Sequence, residues 1–232
     1  QEAELLRLEP TLVQVRRAAM GKDLDESDHK GDTAISTAAK LNWLPIVTDL
    51  IRMNADVNAP DAKEQFPLHH AVHSGPDMVR ALLEAKAELD VQDTDPDHDP
   101  EFTSTTFGDR LEHRTALHHA CTSGDARVAE ILIQAGADLN IQDSQWRTPL
   151  HLAIDEGHAD VIDGLLRAKA DVNLGNQKSG MKNTPLMDAA HAGDRGLMEK
   201  LMAARADINA KGKSDMSALH LAARRGDAGV VQ

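Results

Sequence analysis

The chain has 232 residues, 41% of them apolar and 27% charged, the composition of a globular protein long enough to bury a core. Aromatic residues make up only 2%, with no Tyr, so the core must be built from Leu, Ile, Val, Ala and Met, which favours helices over sandwiches and barrels. The net charge of −13 and the single cysteine, Cys121, argue against bulk binding of nucleic acid or anionic membranes and exclude an intrachain disulfide and a four-cysteine zinc site.

In residues 1–27, Leu5, Leu8, Leu12, Val15 and Ala19 recur at nearly helical spacing, which predicts an N-terminal helical cap. No apolar run approaches a membrane span, and no secretory signal precedes the first charged residues. A lone thiol fits a reducing compartment, so the expected location is cytoplasmic, with the nucleus as an alternative.

From residue 28 the chain repeats. Thr33-Ala34-Ile35-Ser36, Phe66-Pro67-Leu68-His69, Thr115-Ala116-Leu117-His118, Thr148-Pro149-Leu150-His151, Thr184-Pro185-Leu186-Met187 and Ser217-Ala218-Leu219-His220 align, three of the five steps between them being 33 residues. A second string follows in phase, as in Gly136-Ala137-Asp138-Leu139-Asn140 and Lys169-Ala170-Asp171-Val172-Asn173.

One unit shows the physics. Thr148 can cap a helix and Pro149 is tolerated at its first position. Leu150, Ala153 and Ile154 then share a face, and Gly157 stands where a left-handed C-cap is wanted. Val161, Ile162, Leu165 and Leu166 line a second helix. Asn42, Gly124 and Gly193 hold the same cap position in other units. Such a helix pair cannot bury its apolar side alone, so the units must stack.

Both motifs and their period resemble those of ankyrin repeats, over roughly residues 28–232. The resemblance implies an all-α fold, an ankyrin-repeat α-solenoid of helix-turn-helix units with β-hairpin-like turns. Six repeats are expected, the last breaking off within its second helix, with an insertion at about 94–109. The exposed last helix leads to the expectation of a longer natural chain or of a partner covering that end.

The motif histidines His69, His118, His151 and His220 are expected to bridge neighbouring turns, as the resemblance implies, rather than to bind metal. The doublets His69-His70 and His118-His119 do not change this, since adjacent helical residues do not face each other. The acidic run Asp93, Asp95, Asp97 and Asp99 lacks the Gly and Glu of a calcium loop in either register. Cys121 lies among small inner-helix residues and reads as core. No nucleophile elbow or phosphate-binding glycine loop is present. No catalytic residue, metal or cofactor is therefore expected, and no small-molecule substrate.

Function in this family lies on the turn tips and the inner-helix surface lining a concave face. By phase, the candidate contacts are Lys63, Gln65 and His73 in repeat 2, Glu112 and Arg114 in repeat 3, and Gln145, Trp146, Arg147, Asp155 and Glu156 in repeat 4. His191 in repeat 5 and Arg224 and Arg225 in repeat 6 complete them, with Phe102 and Phe107 on the insertion. Trp146 replaces the usual tip Gly. Over all solvent-facing positions of this phase, Lys30, Lys40, Lys63, Arg114, Arg147, Lys213, Arg224 and Arg225 outnumber Asp32, Glu112, Asp155 and Glu156. The expected function is non-catalytic protein binding by a scaffold, adaptor or assembly subunit, to a partner with an acidic segment. The alternative is a targeting or regulatory arm of an enzyme or channel.

Overall fold

The computed structural model describes residues 24–29, 31–93, 113–176 and 182–226. They hold eleven α-helices, and no helix among the described residues is long and apolar enough to cross a membrane. The expected cap over 1–27, the insertion at 94–109 and the second helix of the last repeat lie wholly or mostly outside them.

The chain divides into two compact units, residues 1–116 and 117–232. In the first, α1 (Ala34–Lys40) pairs with α2 (Leu44–Arg52), and α3 (Pro67–Ser74) with α4 (Pro76–Glu84). The inner helices α1 and α3 pack side by side, as do the outer helices α2 and α4.

The second unit continues with α5 (Ala116–Ser123), α6 (Ala126–Gln134), α7 (Pro149–Asp155), α8 (Ala159–Arg167), α9 (Pro185–Ala192), α10 (Arg195–Ala203) and α11 (Ala218–Arg225). Here α9 lies between α7 and α11, and α6 packs on α8.

Local chemistry sets each helix. The Thr148 hydroxyl caps the backbone of His151, whose imidazole returns a bond to Thr148 N–H, a reciprocal capping arrangement. Outer helices α6 and α10 start at Asp125 and Asp194, whose carboxylates accept backbone N–H groups of the first turn, where the helix dipole favours negative charge. Inner helices run into left-handed residues at Asn42 (φ 55), Gly124, Gly157, Gly193 and Gly226, so Asn42 serves as the expected substitute for glycine. Repeat 2 is shortened at this point: Gly75 alone ends α3 and starts α4.

The core is the repeated leucine. Leu50, Leu68, Leu82, Leu117, Leu132, Leu150, Leu165, Leu186 and Leu201 are each at most 1% exposed, each contributing about 1.5–3 kcal/mol by leaving water. Inner-helix Ala38, Ala71, Ala120, Ala153, Ala189 and Ala222 are equally buried and let neighbouring helices approach closely.

Candidate functional site

The turns that precede α3, α5 and α7 each hold a buried acid, Asp61, Asp93 and Asp143. Asp143 Oδ1 accepts the N–H groups of Gln145 (2.8 Å) and Arg147 (2.9 Å), while Trp146 N–H donates to the Asp143 carbonyl at 2.8 Å and Asp143 N–H to that of Arg147 at 2.9 Å. These bonds close the loop on itself. They place Trp146 at φ 61 with 52% of its surface exposed. A bulky residue in this region costs about 1–2 kcal/mol, and a half-exposed indole recovers only part of what full burial would give.

Arg147 does not belong to the exposed surface. It is 8% exposed, and its Nε and Nη2 donate to Asp143 Oδ2 at 2.9 and 2.8 Å. The sequence grouped it with the cations of the concave face. Its guanidinium instead neutralises the carboxylate that shapes its own turn.

The turn of repeat 2 uses Asp61 differently. Oδ1 again accepts backbone N–H groups, from Lys63 (2.8 Å) and Gln65 (2.9 Å). Oδ2 takes Lys40 Nζ at 2.7 Å and His70 Nε2 at 2.9 Å, and Lys40 also reaches Asp32 at 2.9 Å. Burial alone would raise the Asp61 pKa, but the bonds from His70 and Lys40 hold it well below the usual carboxylate range. For Lys40, burial opposes the charge, yet Asp61 and Asp32 raise its pKa. Lys40 is thus a structural cation joining two repeats.

The motif histidines bridge turns, as expected. Their Nε2 atoms lie 3.1 Å from the Val91 carbonyl for His69, 3.1 Å from that of Arg147 for His118 and 3.3 Å from that of Asn183 for His151. Burial pushes the His151 pKa down to about 4 against the raising effect of its bond to Asn183. Repeat 5 has Met187 at this position, and the buried Thr184 hydroxyl there lacks a hydrogen-bond partner. Asn58, Asn140 and Asn173 accept the N–H groups of Glu88, Asp171 and Asp207 one repeat on.

Of the other candidates in the first unit, Lys63 and His73 are exposed, and Gln65 and Arg114 half-buried. In the second unit Gln145 is half-buried, while Asp155, Glu156, His191, Arg224 and Arg225 are exposed. Arg225 Nη1 donates to the His191 carbonyl at 2.8 Å. Glu112, Phe102, Phe107 and Lys30 lie outside the described residues, as does the Lys213 side chain. Asp155 and Glu156 end α7, where the negative pole of the helix makes a carboxylate unfavourable by about 0.3–1 kcal/mol.

Two features add to the candidate list. Met202, Ile208 and Leu219 are 44%, 55% and 53% exposed, and they line a cleft of about 340 Å³ with Leu186 and Met198. The signal was available only by comparison, since Leu150 and Leu186, the repeat equivalents of Leu219, are at most 1% exposed. The outer helices α6, α8 and α10 also flank a groove of about 980 Å³, crossed by an ion pair of Lys200 with Asp163 at 2.6 Å. Cys121 is fully buried, and burial pushes its thiol pKa far above the usual range. Among the described residues no cluster of His, Cys, Asp and Glu could hold a metal ion.

A model of ankyrin repeats in three copies matches residues 10–93 and 96–176, and a single-repeat model matches 181–213. Human (Homo sapiens) Rabankyrin-5 is 31% identical over 143 residues, which cover 59% of this chain and 11% of that protein. Mouse (Mus musculus) NF-kappa-B inhibitor delta is 34% identical over 77 residues, 33% of this chain and 24% of its own length. A zebrafish (Danio rerio) protein, ZDHHC13, a palmitoyltransferase by its name alone, is 43% identical over 77 residues, 32% of this chain and 12% of its own. The chain thus spans a quarter or less of each of these relatives. The in-phase motifs, the stacked helix pairs and the matched models agree: the chain belongs to the ankyrin-repeat family, whose repeats are protein-binding modules.

Proposed function

We propose that the chain binds a partner protein as a non-catalytic scaffold or adaptor, through the turn tips and inner-helix ends on a concave face, with Trp146 as the anchor in the second unit. The observation that carries this reading is the indole itself, half exposed at a strained turn position where glycine would cost less. Large aromatics with one open face are the side chains that most often dominate protein interfaces.

An acidic occupant retains support at Lys63 in the first unit and at Arg224 and Arg225 in the second. It loses Lys40 and Arg147, which are spent on Asp61 and Asp143. A cytoplasmic setting fits the single buried thiol, Cys121. The alternative, a regulatory or targeting arm of a larger enzyme, draws on the likeness to ZDHHC13.

The test separates binding from folding. Peptides selected from a display library on the wild-type chain should bind Trp146→Gly at least tenfold more weakly. The same variant should unfold in urea at the same or slightly higher midpoint, because glycine relieves the positive φ. Unchanged peptide affinity would refute the reading.

A further inference from the structure

The outer helices part company at one position. Helices α2, α4, α6, α8 and α10 have nine residues each, and the sixth residues are Asp49, Ala81, Ile131, Gly164 and Lys200. Glycine weakens a helix interior relative to alanine. The packing does not call for it at 164. The backbone there is not left-handed, and among the described residues an added Cβ would meet only Ile133 Cδ1, at 4.0 Å, an ordinary contact. The fold itself would accept a larger residue, and the glycine leaves helix backbone uncovered.

That uncovered backbone lies in the groove of about 980 Å³ between α6, α8 and α10. Helix α6 packs on α8, whereas α10 approaches α8 less closely and is joined to it by the Lys200–Asp163 ion pair. Asp160, Gly164 and Ala168 all line the groove, and their spacing of four puts them on one face of α8. The sides are small as well, with Ala126 on α6 and Ala203 on α10. From Asp160 to Ala168 the floor runs about 12 Å, or about two helical turns.

The charge of the groove is uneven. Asp163 and Lys200 cancel each other. Glu130 and Asp160 are exposed and have no ion-pair partner among the described residues, Glu130 accepting the Gln134 side-chain amide at 3.2 Å. Arg167 stands at the opposite end of α8 from Asp160 and donates to the Asp163 carbonyl at 3.3 Å.

We infer that this groove docks an amphipathic helix of a basic partner protein, with small side chains against Gly164 and Ala168 and Lys or Arg toward Glu130 and Asp160. Helices usually pack at roughly 8–10 Å, and small residues on both sides allow the near end of that range. A helix laid along α8 uses the uncovered backbone and both small-residue walls at once. A second copy of the chain is a poor occupant, because at −13 it brings like charge to Glu130 and Asp160. The groove belongs to the outer helices and Trp146 to a turn, so this inference stands or falls apart from the proposed function.

The probe is a display library of sixteen-residue helix-forming peptides, randomised on one face and selected on the full chain. Enriched peptides should carry Gly, Ala or Ser at every fourth position, flanked by Lys or Arg. Gly164→Leu should weaken them at least tenfold, and Trp146→Gly should leave them unchanged. Glu130→Lys/Asp160→Lys should also weaken them at least tenfold, by a factor that shrinks in high salt. Gly164→Ala should unfold at a higher temperature than wild type and still bind at least threefold more weakly. A lower midpoint for Gly164→Ala would mean that the glycine serves the fold, and would overturn the inference. So would a library without binders, binders indifferent to Gly164→Leu, or self-association of the wild-type chain that Gly164→Leu abolishes.

Discussion

The turns around Asp61 and Asp143 share one backbone frame and spend the same buried carboxylate in different ways. In both, Oδ1 closes the loop by accepting two backbone N–H groups. In the first unit Oδ2 ties Lys40 of the preceding repeat and His70. In the second it holds Arg147 of its own turn. The difference shows that a repeat fixes where an acid must be, but not which cation satisfies it. One choice reaches a cation of the neighbouring repeat, and the other a cation of the same turn.

This contrast can be broken by measurement. The largest effect belongs to Asp143→Asn, which removes the carboxylate charge bonded to a buried guanidinium and should cost about 3–5 kcal/mol. Asp61→Asn should cost less, about 2 kcal/mol, because Lys40 keeps Asp32 and is 31% exposed. Urea unfolding of both variants checks the order, and equal losses would show that the two cations are equally captive.

Acid sharpens the same comparison. The folded-state pKa of His151 is lowered to about 4 from an ordinary 6.5, so the unfolded chain takes up the proton first. Its contribution is complete above about pH 6.5 and is lost as pH falls toward 4. Asp61 is depressed below its ordinary 3.8, so its contribution fades only below that pH. Amide exchange should therefore show α7 losing protection at mildly acidic pH before α3 does. Loss in the reverse order would contradict the assignment of these two groups.

The smallest effect is Met187→His. It would offer the Thr184 hydroxyl the partner that His151 gives Thr148 at 2.9 Å, and should stabilise the second unit by about 1 kcal/mol. A thermal scan measures it, and a lower midpoint would mean that the buried thioether packs better than the imidazole bonds.

Much of the architecture could be read directly from residue types. Asn42 and Gly124 announce left-handed caps, and the Thr–His pair at 148 and 151 announces a helix start. Repeats make such signals redundant. The positive φ values of Lys86, Lys169 and Arg205 were not legible from residue type, since long side chains rarely adopt them; they close the C-terminal caps of the outer helices, with Ala87, Ala170 and Ala206 N–H donating back to Leu82, Leu165 and Leu201. The surface was legible by phase alone. Trp146, Asp155 and Glu156 fell on solvent-facing positions, whereas Arg147 could not be told from its exposed neighbours, because its pairing depends on the curl of the loop. Lys40 is solvent-facing as expected, but its engagement by Asp61 of another repeat was not legible for a related reason, since that partner is distant in the chain.

Cys121 supplies a gauge of local motion that needs no added label. A thiol must ionise to be alkylated, and complete burial forbids this while α5 is intact. Alkylation under native conditions then proceeds only through openings of that helix, so its rate reports their frequency or population. A bound partner that steadies the second unit should slow the reaction, whichever side chains it touches.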